Sequence, residues 1–359
     1  MPRPSGLQPN KNLTHTWLAA AERGDLAALK KMFGTTPALL DAAGKGPYWT
    51  GDARALHFAT YRGHVPVLRW LLDRGASPNP VAGEFDWAPI HFACMPLRPR
   101  VYDLLVRRGA APDIVTAAAR GDLRELRRWL RDKPQLVRHR GPDGATPLHF
   151  ARTPAVARAL LSAGANPRQR DRYHKSTPVE WTLERPGVPQ VIARAGGGMT
   201  VFVAAALGDL KTVRALVRKT PRLLIARVRK DTAFEGAGET ALGVAARFGR
   251  RSIVKALLDA GASAATTPSP LPAAARGGDL HIVRRLLDAG ADANAFGPHG
   301  HVALHAACID GRLPMIRLLL SHAARLDLRD REHNGTPLDW AQFFHHARVA
   351  RLLRDRALG

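Results

Sequence analysis

The feature that most constrains this chain is a short phrase that recurs along its length. It reads Ala-Leu-His-Phe-Ala at 55–59, Pro-Ile-His-Phe-Ala at 89–93 and Thr-Pro-Leu-His-Phe-Ala at 146–151. Further copies, some of them altered, lie at 177–181, 240–246, 302–307 and 336–341. Such an internal repeat indicates an array of units in which each unit buries its apolar face against its neighbours.

A second phrase, centred on Gly-Asp-Leu, is interspersed with the first. It occurs at 18–26, 116–123, 203–210 and 273–280, each time after a run of alanines. Apolar residues at helical spacing follow most copies of either phrase, and several of these runs end in Gly-Ala. A glycine there adopts the left-handed conformation that ends a helix. The predicted unit is therefore turn, helix, tight turn, helix and loop.

These motifs together resemble the ankyrin repeat family. The resemblance rests on the Thr-Pro-Leu-His helix start, the Gly-His or Gly-Asp turn and the Leu-Leu-x-x-Gly-Ala close. It implies an all-α solenoid of paired antiparallel helices with β-turn finger loops, with about eleven repeats of about 33 residues. We expect an N-terminal extension over 1–16, a solenoid over 17–359, a degenerate repeat near 175–199 and a C-terminal cap over 336–359. In that cap we expect inward side chains at Phe344, Val349, Leu352 and Leu353.

Three connections after alanine-rich units are longer than the rest. They span 36–52, 132–143 and 219–238, and each contains a proline followed closely by apolar residues. Insertions in solenoids fall on one face, which is often the face that binds a partner.

Composition excludes several classes of protein. The chain has 359 residues and a formal net charge of +24, from 54 Lys+Arg against 30 Asp+Glu. Arginine makes up most of the cations, and Ala, Gly, Pro and Leu are abundant. This composition is of a bacterial, GC-rich type, and whether the charge is functional or follows from codon usage stays open. No apolar run reaches the about 20 residues of a membrane helix, and the first residues lack the apolar core of a secretory signal. Two cysteines are too few for a disulfide framework, so we expect a cytoplasmic protein without membrane contact.

Catalytic and metal chemistry find little support. The repeat histidines His57, His91, His149 and His305 are expected to bond backbone groups of a neighbouring turn. His299, His301 and His333 fall at predicted loop tips, where they would meet Asp330 or Glu332 around a cation. Spacing alone is weak grounds for such a site, so we predict no metal and no cofactor. Gly196-Gly197-Gly198 lacks the context of a phosphate loop, and no nucleophile motif is present, so no catalytic residue is predicted.

The partner surface is predicted from the resemblance and from charge. In ankyrin-like proteins it is the concave side, formed by finger loops and first helices, and Tyr, Trp and Arg concentrate binding energy at interfaces. From the first helices and their loops we select Tyr61, Arg62, Phe85, Trp87, Met95, Arg247, Phe248 and His301. From the basic finger row we select Arg138, Arg140, Arg170, Arg172, His174 and Lys175.

The leading hypothesis is a non-enzymatic scaffold that binds an acidic protein. One alternative is nucleic-acid binding through the arginines, although few aromatic residues interleave with them for base stacking. A second alternative is an enzyme with a site in the concave groove around His299, His301 and Asp310. The sequence leaves both alternatives open.

Overall fold

A computed structural model describes residues 10–45, 52–82, 86–229, 231–232 and 236–358. The chain divides into two compact units, Met1–Gly197 and Gly198–Gly359, so the boundary falls within the glycine triplet 196–198. Each unit is built from pairs of short helices, and the predicted all-α architecture is confirmed. Among the described residues, no helix has the length and apolar character needed to span a bilayer.

Unit 1 contains twelve α-helices in its described part, in consecutive pairs. They are α1 Lys11–Arg23, α2 Leu26–Thr35, α3 Ala55–Arg62, α4 Val65–Asp73, α5 Pro89–Phe92, α6 Pro99–Arg107, α7 Ile114–Arg120, α8 Leu123–Asp132, α9 Pro147–Phe150, α10 Pro154–Ser162, α11 Pro178–Trp181 and α12 Val188–Arg194. Strands β1 Ala43–Gly44 and β2 Ala53–Arg54 pair antiparallel, with Ala43 opposite Arg54. This short antiparallel pair corresponds to one of the predicted β-turn finger loops.

Unit 2 contains ten α-helices in its described part, arranged in the same way. They are α13 Val201–Leu207, α14 Leu210–Lys219, α15 Ala241–Arg247, α16 Arg251–Asp259, α17 Leu271–Gly277, α18 Leu280–Asp288, α19 Ala303–Ile309, α20 Leu313–Ser321, α21 Pro337–Phe343 and α22 Ala347–Leu358. First helices pack on the first helices of neighbouring pairs, as α15 does on α17 and α17 on α19.

The Gly-Asp phrase forms the tight turn between the two helices of a pair. Gly121 has a φ of 77°, which is left-handed, and caps the C-terminus of α7 with its backbone N–H. Asp122 follows as the N-cap of α8 and accepts from the N–H of Glu125 at 3.0 Å. The same pair of roles recurs at Gly208 and Asp209. A helix end and a helix start are thus satisfied by two adjacent residues.

Small side chains set the distance between neighbouring first helices. Ala245 and Ala274 have no exposed surface, and a Cβ placed on Gly277 would lie only 2.4 Å from the carbonyl oxygen of Arg247. Second helices contribute buried leucines such as Leu257 and Leu286, and first helices also bury large side chains, among them Trp17 and Phe150. The core therefore lies between first helices, which approach one another closely at alanine and glycine, and leucine-rich second helices.

The three long connections contain 3-10 helices at Pro37–Asp41, Pro134–Arg138 and Pro221–Leu224. In the first two, apolar residues after the proline, such as Leu39 and Val137, fold back into the core. In the third, Leu223 and Leu224 are only half-buried. In all three segments the proline fixes the start of the 3-10 turn.

Two local expectations differ from the structure. The first helix begins at Lys11, inside the predicted extension, because Asn10 caps it by accepting from the N–H of Leu13 at 2.7 Å. In the C-terminal cap Val349 and Leu353 are buried as expected, but Phe344 is not. Its ring is 39% exposed and stacks on Trp340 at 5.8 Å. The region near 175–199 holds a one-turn α11 followed by a loop through Arg185-Pro186-Gly187.

Candidate functional site

The repeat histidines are structural. The Nδ1 atoms of His57, His149 and His305 accept the backbone N–H three residues earlier, at 2.9 to 3.3 Å. Their Nε2 atoms must then carry the proton, and they donate to the carbonyl oxygens of Pro80 and Trp87, of Ser176 and of Gly335. Each imidazole thus joins its own helix start to the next finger loop, as predicted.

His91 departs from this pattern, since its Nε2 lies 3.1 Å from Asp113 Oδ2 rather than near a carbonyl. Asp113 is the N-cap of α7 and also accepts from the N–H of Thr116. Burial lowers the pKa of His57 and of His149 to about 4, so both rings are neutral near pH 7. Neutral, fully bonded rings have no lone pair or proton available for chemistry.

The two thiols and Asp310 are groups suited to nucleophilic or acid–base catalysis, and all three are otherwise engaged. Burial raises the pKa of Cys94 and of Cys308 to about 12, so neither thiol is ionised near pH 7. Asp310, which the sequence analysis grouped with His299 and His301 as a possible enzyme site, accepts from Arg312 Nε at 3.0 Å.

The basic finger row of unit 1 combines exposed cations with buried carboxylates. Asp171 is 2% exposed and accepts from the N–H groups of His174 and Ser176 and from Trp181 Nε1. Asp143 is also buried and accepts from Trp87 Nε1 at 2.9 Å. Both acids are therefore consumed in holding the finger turns and do not face outward.

The cations of these fingers reach solvent. Arg138, Arg170, Arg172 and Lys175 are exposed, and within the described residues none of them forms an ion pair with a carboxylate. Lys175 Nζ donates to the carbonyl oxygen of Arg172 at 2.6 Å, and Arg170 donates to that of Lys175. Arg140 is half-buried and donates to the carbonyls of Gly144 and Arg170, so it acts mainly as a brace.

His174 is half-buried between the fingers, with its Nε2 3.7 Å from Asp143 Oδ2. Its ring packs edge-on against Trp181 and against Tyr173, which is 50% exposed. His174 is therefore packed within the finger and less exposed than the selected cations. We name Arg138, Arg170, Arg172 and Lys175 the finger cations.

The residues selected around the first helices of unit 1 form an aromatic cluster. Trp87 stacks on Phe92 with ring centres 4.8 Å apart, and Tyr61 meets the edge of the same Phe92 ring. Arg62 donates to Glu22 Oε1 at 2.6 Å. Trp87 and Tyr61 are half-buried, and Arg62 is exposed.

Met95 is also half-buried, and its Sδ lies 3.9 Å from Arg185 Nη2. Phe85 lies outside the described residues. The structure therefore gathers part of the predicted face in one place, and whether a partner contacts it stays a prediction.

Unit 2 contains a cavity of 240 Å³ between its finger loops and first helices. Its walls combine charged, imidazole and apolar side chains. They are Glu239, Arg247, Pro272, Ala273, Arg276, Gly297, Pro298, His299, His301, Ala306, Ile309, Asp310, Glu332, His333 and Trp340. Two of the predicted partner-binding residues, Arg247 and His301, lie in this wall. Phe248, also predicted, follows directly as the half-buried C-cap of α15.

The inner wall of the cavity holds an ion pair that leaves one oxygen unused. Arg247 donates from Nε and from Nη2 to the same oxygen of Glu239, Oε1. Glu239 Oε2 is buried without a hydrogen-bond partner in the described part of the chain. Sequence reasoning missed Glu239, although an acid directly before the helix-starting Thr240, where other units carry Ser176 or Gly335, is a readable departure.

The outer wall brings together three metal-ligand side chains. One potential ligand atom each from His301, Glu332 and His333 lies within 4.8 Å of the others. Asp330, the alternative acid named from the sequence, instead accepts from three backbone N–H groups of its own turn. His299 lines the cavity but does not belong to this cluster. Burial lowers the pKa of His301.

Comparison with known proteins matches three ankyrin models to this chain. "Ankyrin repeats (3 copies)" matches residues 269–358, "Ankyrin repeats (many copies)" matches 56–106, and "Ankyrin repeat" matches 143–172 and 237–267. Together they cover more than half of the chain. The Notch-regulated ankyrin repeat-containing protein A of Danio rerio is 36% identical over 66 residues, 18% of this chain. The match spans 58% of the length of that relative.

Proposed function

The chain belongs to the ankyrin repeat family, and on that premise we propose that it is a scaffold that binds an acidic protein partner through its finger loops and first helices. Ankyrin repeats are generally protein–protein interaction scaffolds. The proposal goes beyond this general role in two respects, the acidic character of the partner and the surface to which it binds. A function drawn from a fold needs support from a site, and the finger cations supply it.

The observation that carries the proposal is the separation of charge in the fingers of unit 1. Asp143 and Asp171 are turned inward and bonded, whereas Arg138, Arg172 and Lys175 are exposed without a carboxylate partner in the described residues. A surface on which the acids are hidden and the cations exposed attracts negative charge. Such complementarity accelerates encounter and selects acidic partners over basic ones.

Trp87 and Tyr61 add apolar area in the same unit. Both are half-buried, so each retains a surface that a partner can cover. Aromatic side chains held rigidly by neighbours such as Phe92 are suited to anchor an interface, because little conformational entropy is lost on binding.

The experiment reverses charge in the fingers without disturbing their hydrogen bonds. Arg138→Glu with Arg172→Glu is preferred to a change at Arg170, whose guanidinium holds the carbonyl of Lys175. The control is Arg124→Glu with Arg127→Glu, which changes net charge equally on exposed positions of the second helix α8. Proteins retained from nuclease-treated lysate are identified with the wild type, and the affinity for the purified partner is then measured by titration.

We expect the finger variant to bind the partner about tenfold more weakly and the α8 variant to bind as the wild type does. Circular dichroism and thermal unfolding establish that both variants are folded. Equal weakening by both variants would mean that only net charge matters, and no weakening by the finger variant would place the interface elsewhere.

Nucleic-acid binding is the second candidate, and Tyr173 is the observation in its favour. This ring is 50% exposed and lies between Arg172 and His174 in sequence, a placement that suits base stacking beside phosphate contacts. Retention that disappears after nuclease treatment, together with an affinity for single-stranded nucleic acid that falls steeply with salt, would favour it. Retention of a defined protein from both nuclease-treated and untreated lysate would favour the scaffold.

A further inference from the structure

We propose that the outer wall of the unit 2 cavity is a binding site for a divalent transition-metal ion such as Zn²⁺, with His301, Glu332 and His333 as its ligands. These three residues come from two neighbouring finger loops. One side-chain ligand atom from each lies within 4.8 Å of the other two. The sequence alone predicts no metal here, and it is the folded geometry that changes the conclusion.

The spacing suits one ion after rotation of side chains. Zinc binds imidazole nitrogen and carboxylate oxygen at about 2.0–2.2 Å in tetrahedral geometry, so its ligand atoms lie about 3.3–3.6 Å from one another. We expect side-chain rotation to close the gap that remains. Glu332 and His333 are exposed and have room to rotate, while His301 is half-buried and stays in place.

The backbone that carries two of the ligands is held rigidly. Asp330 accepts from the N–H groups of Glu332 at 2.9 Å, of His333 at 2.6 Å and of Gly335 at 2.9 Å. The turn is therefore closed around a buried carboxylate, so Glu332 and His333 leave it in fixed directions. A preorganised turn lowers the entropy lost when a ligand is captured.

Trp340 packs against both imidazoles. Its ring centre lies 5.4 Å from that of His301 and 5.2 Å from that of His333, in edge-on arrangements. The indole is itself fixed because its Nε1 donates to Asp330 Oδ2 at 2.8 Å. One carboxylate thus anchors the turn and the tryptophan, and through them it positions the proposed ligands.

His301 is not committed to an internal bond through Nε2. This atom is buried and has no hydrogen-bond partner in the described part of the chain. The neighbouring His305, by contrast, spends its Nε2 on the carbonyl of Gly335. A buried polar atom without a partner is costly and is rare unless a ligand completes it.

The nearest cations in sequence are directed to other groups. Arg329 donates to the carbonyl oxygen of Asn334, and the guanidinium of Arg331 lies over the ring of Phe296 at 4.6 Å. Two imidazoles and one carboxylate favour Zn²⁺ and its transition-metal neighbours over Mg²⁺ or Ca²⁺, which prefer oxygen ligands. Three protein ligands leave a coordination position open for water or for a side chain of a partner.

The test is calorimetric titration of Zn²⁺ into the full-length protein, stripped of metal and freed of any histidine tag. We expect one ion per chain, with the affinity weakened more than about 10-fold by His333→Ala and by Glu332→Gln, because even residues that only orient a metal ligand typically contribute about 10- to 100-fold. Both residues are exposed, so neither change is expected to unfold the protein, and circular dichroism checks this. The matched control is His299→Ala, an exposed imidazole in the same cavity wall but outside the cluster.

Trp340 supplies an independent readout, because an ion between two imidazoles packed on its ring alters its fluorescence. We expect the change in the wild type and in His299→Ala, and its loss in His333→Ala. Excess Mg²⁺ is expected to leave the Zn²⁺ titration unaltered. No binding by the wild type, or equal binding by the wild type and His333→Ala, would overturn the proposal.

Discussion

Arg247 donates twice to one oxygen of Glu239 and leaves the other oxygen, Oε2, without a partner in the described residues. Both side chains are almost fully buried, at 8% and 1% exposure. Because little water reaches either group, each charge is stabilised by the other rather than by solvent. Its removal therefore has a different effect when one member is lost than when both are lost.

We predict that Arg247→Ala lowers the free energy of unfolding by about 3–5 kcal/mol, because it leaves the Glu239 carboxylate buried and unpaired. Replacing both residues by methionine is expected to cost less than Arg247→Ala alone. Chemical denaturation of the two variants measures this. A double variant less stable than the single one would show that apolar side chains cannot fill the site.

Asp143 has a φ of 56°, unusual for a residue other than glycine, and its side chain accepts from Trp87. Asp143→Ala is expected to destabilise the protein by about 2 kcal/mol, since it removes a buried acceptor and places a residue poorly suited to the left-handed region. Asp143→Asn keeps an acceptor and tolerates this φ, so we expect a smaller loss. Equal losses in thermal unfolding would mean that neither property of the side chain matters.

Acid is expected to destabilise the protein through its buried imidazoles. The pKa of His149 is lowered by burial to about 4 in the folded state, against 6.5 ordinarily, so between these values the unfolded chain binds more protons. Stability should therefore fall as pH drops from about 6.5 to 4, by about 3 kcal/mol for each such histidine, and level off below.

Urea denaturation at several pH values tests this for the wild type and His149→Gln. The variant is expected to be less stable at pH 7, where it loses part of the hydrogen bonding, but to lose less stability on acidification. Parallel pH profiles would assign the acid sensitivity to other groups.

Two glycines in helices are expected to respond oppositely to alanine. A Cβ on Gly277 would lie 2.4 Å from the carbonyl oxygen of Arg247, so Gly277→Ala should push α15 and α17 apart and cost about 1–3 kcal/mol. Gly34 in α2 has no atom within 4 Å of such a Cβ, and Gly34→Ala should stabilise by about 0.4–1 kcal/mol. Thermal unfolding of the two variants measures both changes in stability. A Gly277→Ala variant as stable as the wild type would show that the helices shift to accommodate the methyl group.

Those parts of the fold that depend on interactions between residues close in sequence could be predicted from the sequence. Gly121 and Asp122 predict a helix end and a helix start because each role depends on one residue and its nearest backbone groups. The interpretation of His57, His149 and His305 was correct for a similar reason. Each ring accepts the N–H three residues earlier and donates to the carbonyl of the residue directly before the N-cap of the next first helix, at Trp87, Ser176 and Gly335. Phe344 was placed wrongly because helical spacing does not show where the packed stack ends.

The side chains that form the cavity of unit 2 were harder to predict from the sequence. Spacing pointed to His301 and His333 but left Asp330 and Glu332 as equivalent acids, and only the folded turn shows that Asp330 is consumed by backbone N–H groups. Glu239 belongs to no motif, and its unused oxygen is a property of packing between distant segments. Sites of this kind depend on side-chain directions, which periodicity does not determine.

The side chains that join neighbouring repeats run in both directions along the chain. His149 and His305 reach forward to the next finger, whereas His64 and His346 reach back to the carbonyls of Glu22 and Ile309. The forward donors lie in first helices and the backward donors lie in the turn before second helices, so a pair that contains both, such as α3 with α4, is bonded through imidazoles to the segment on either side. The helix pair, rather than the single helix, is therefore the unit that these bonds hold in register.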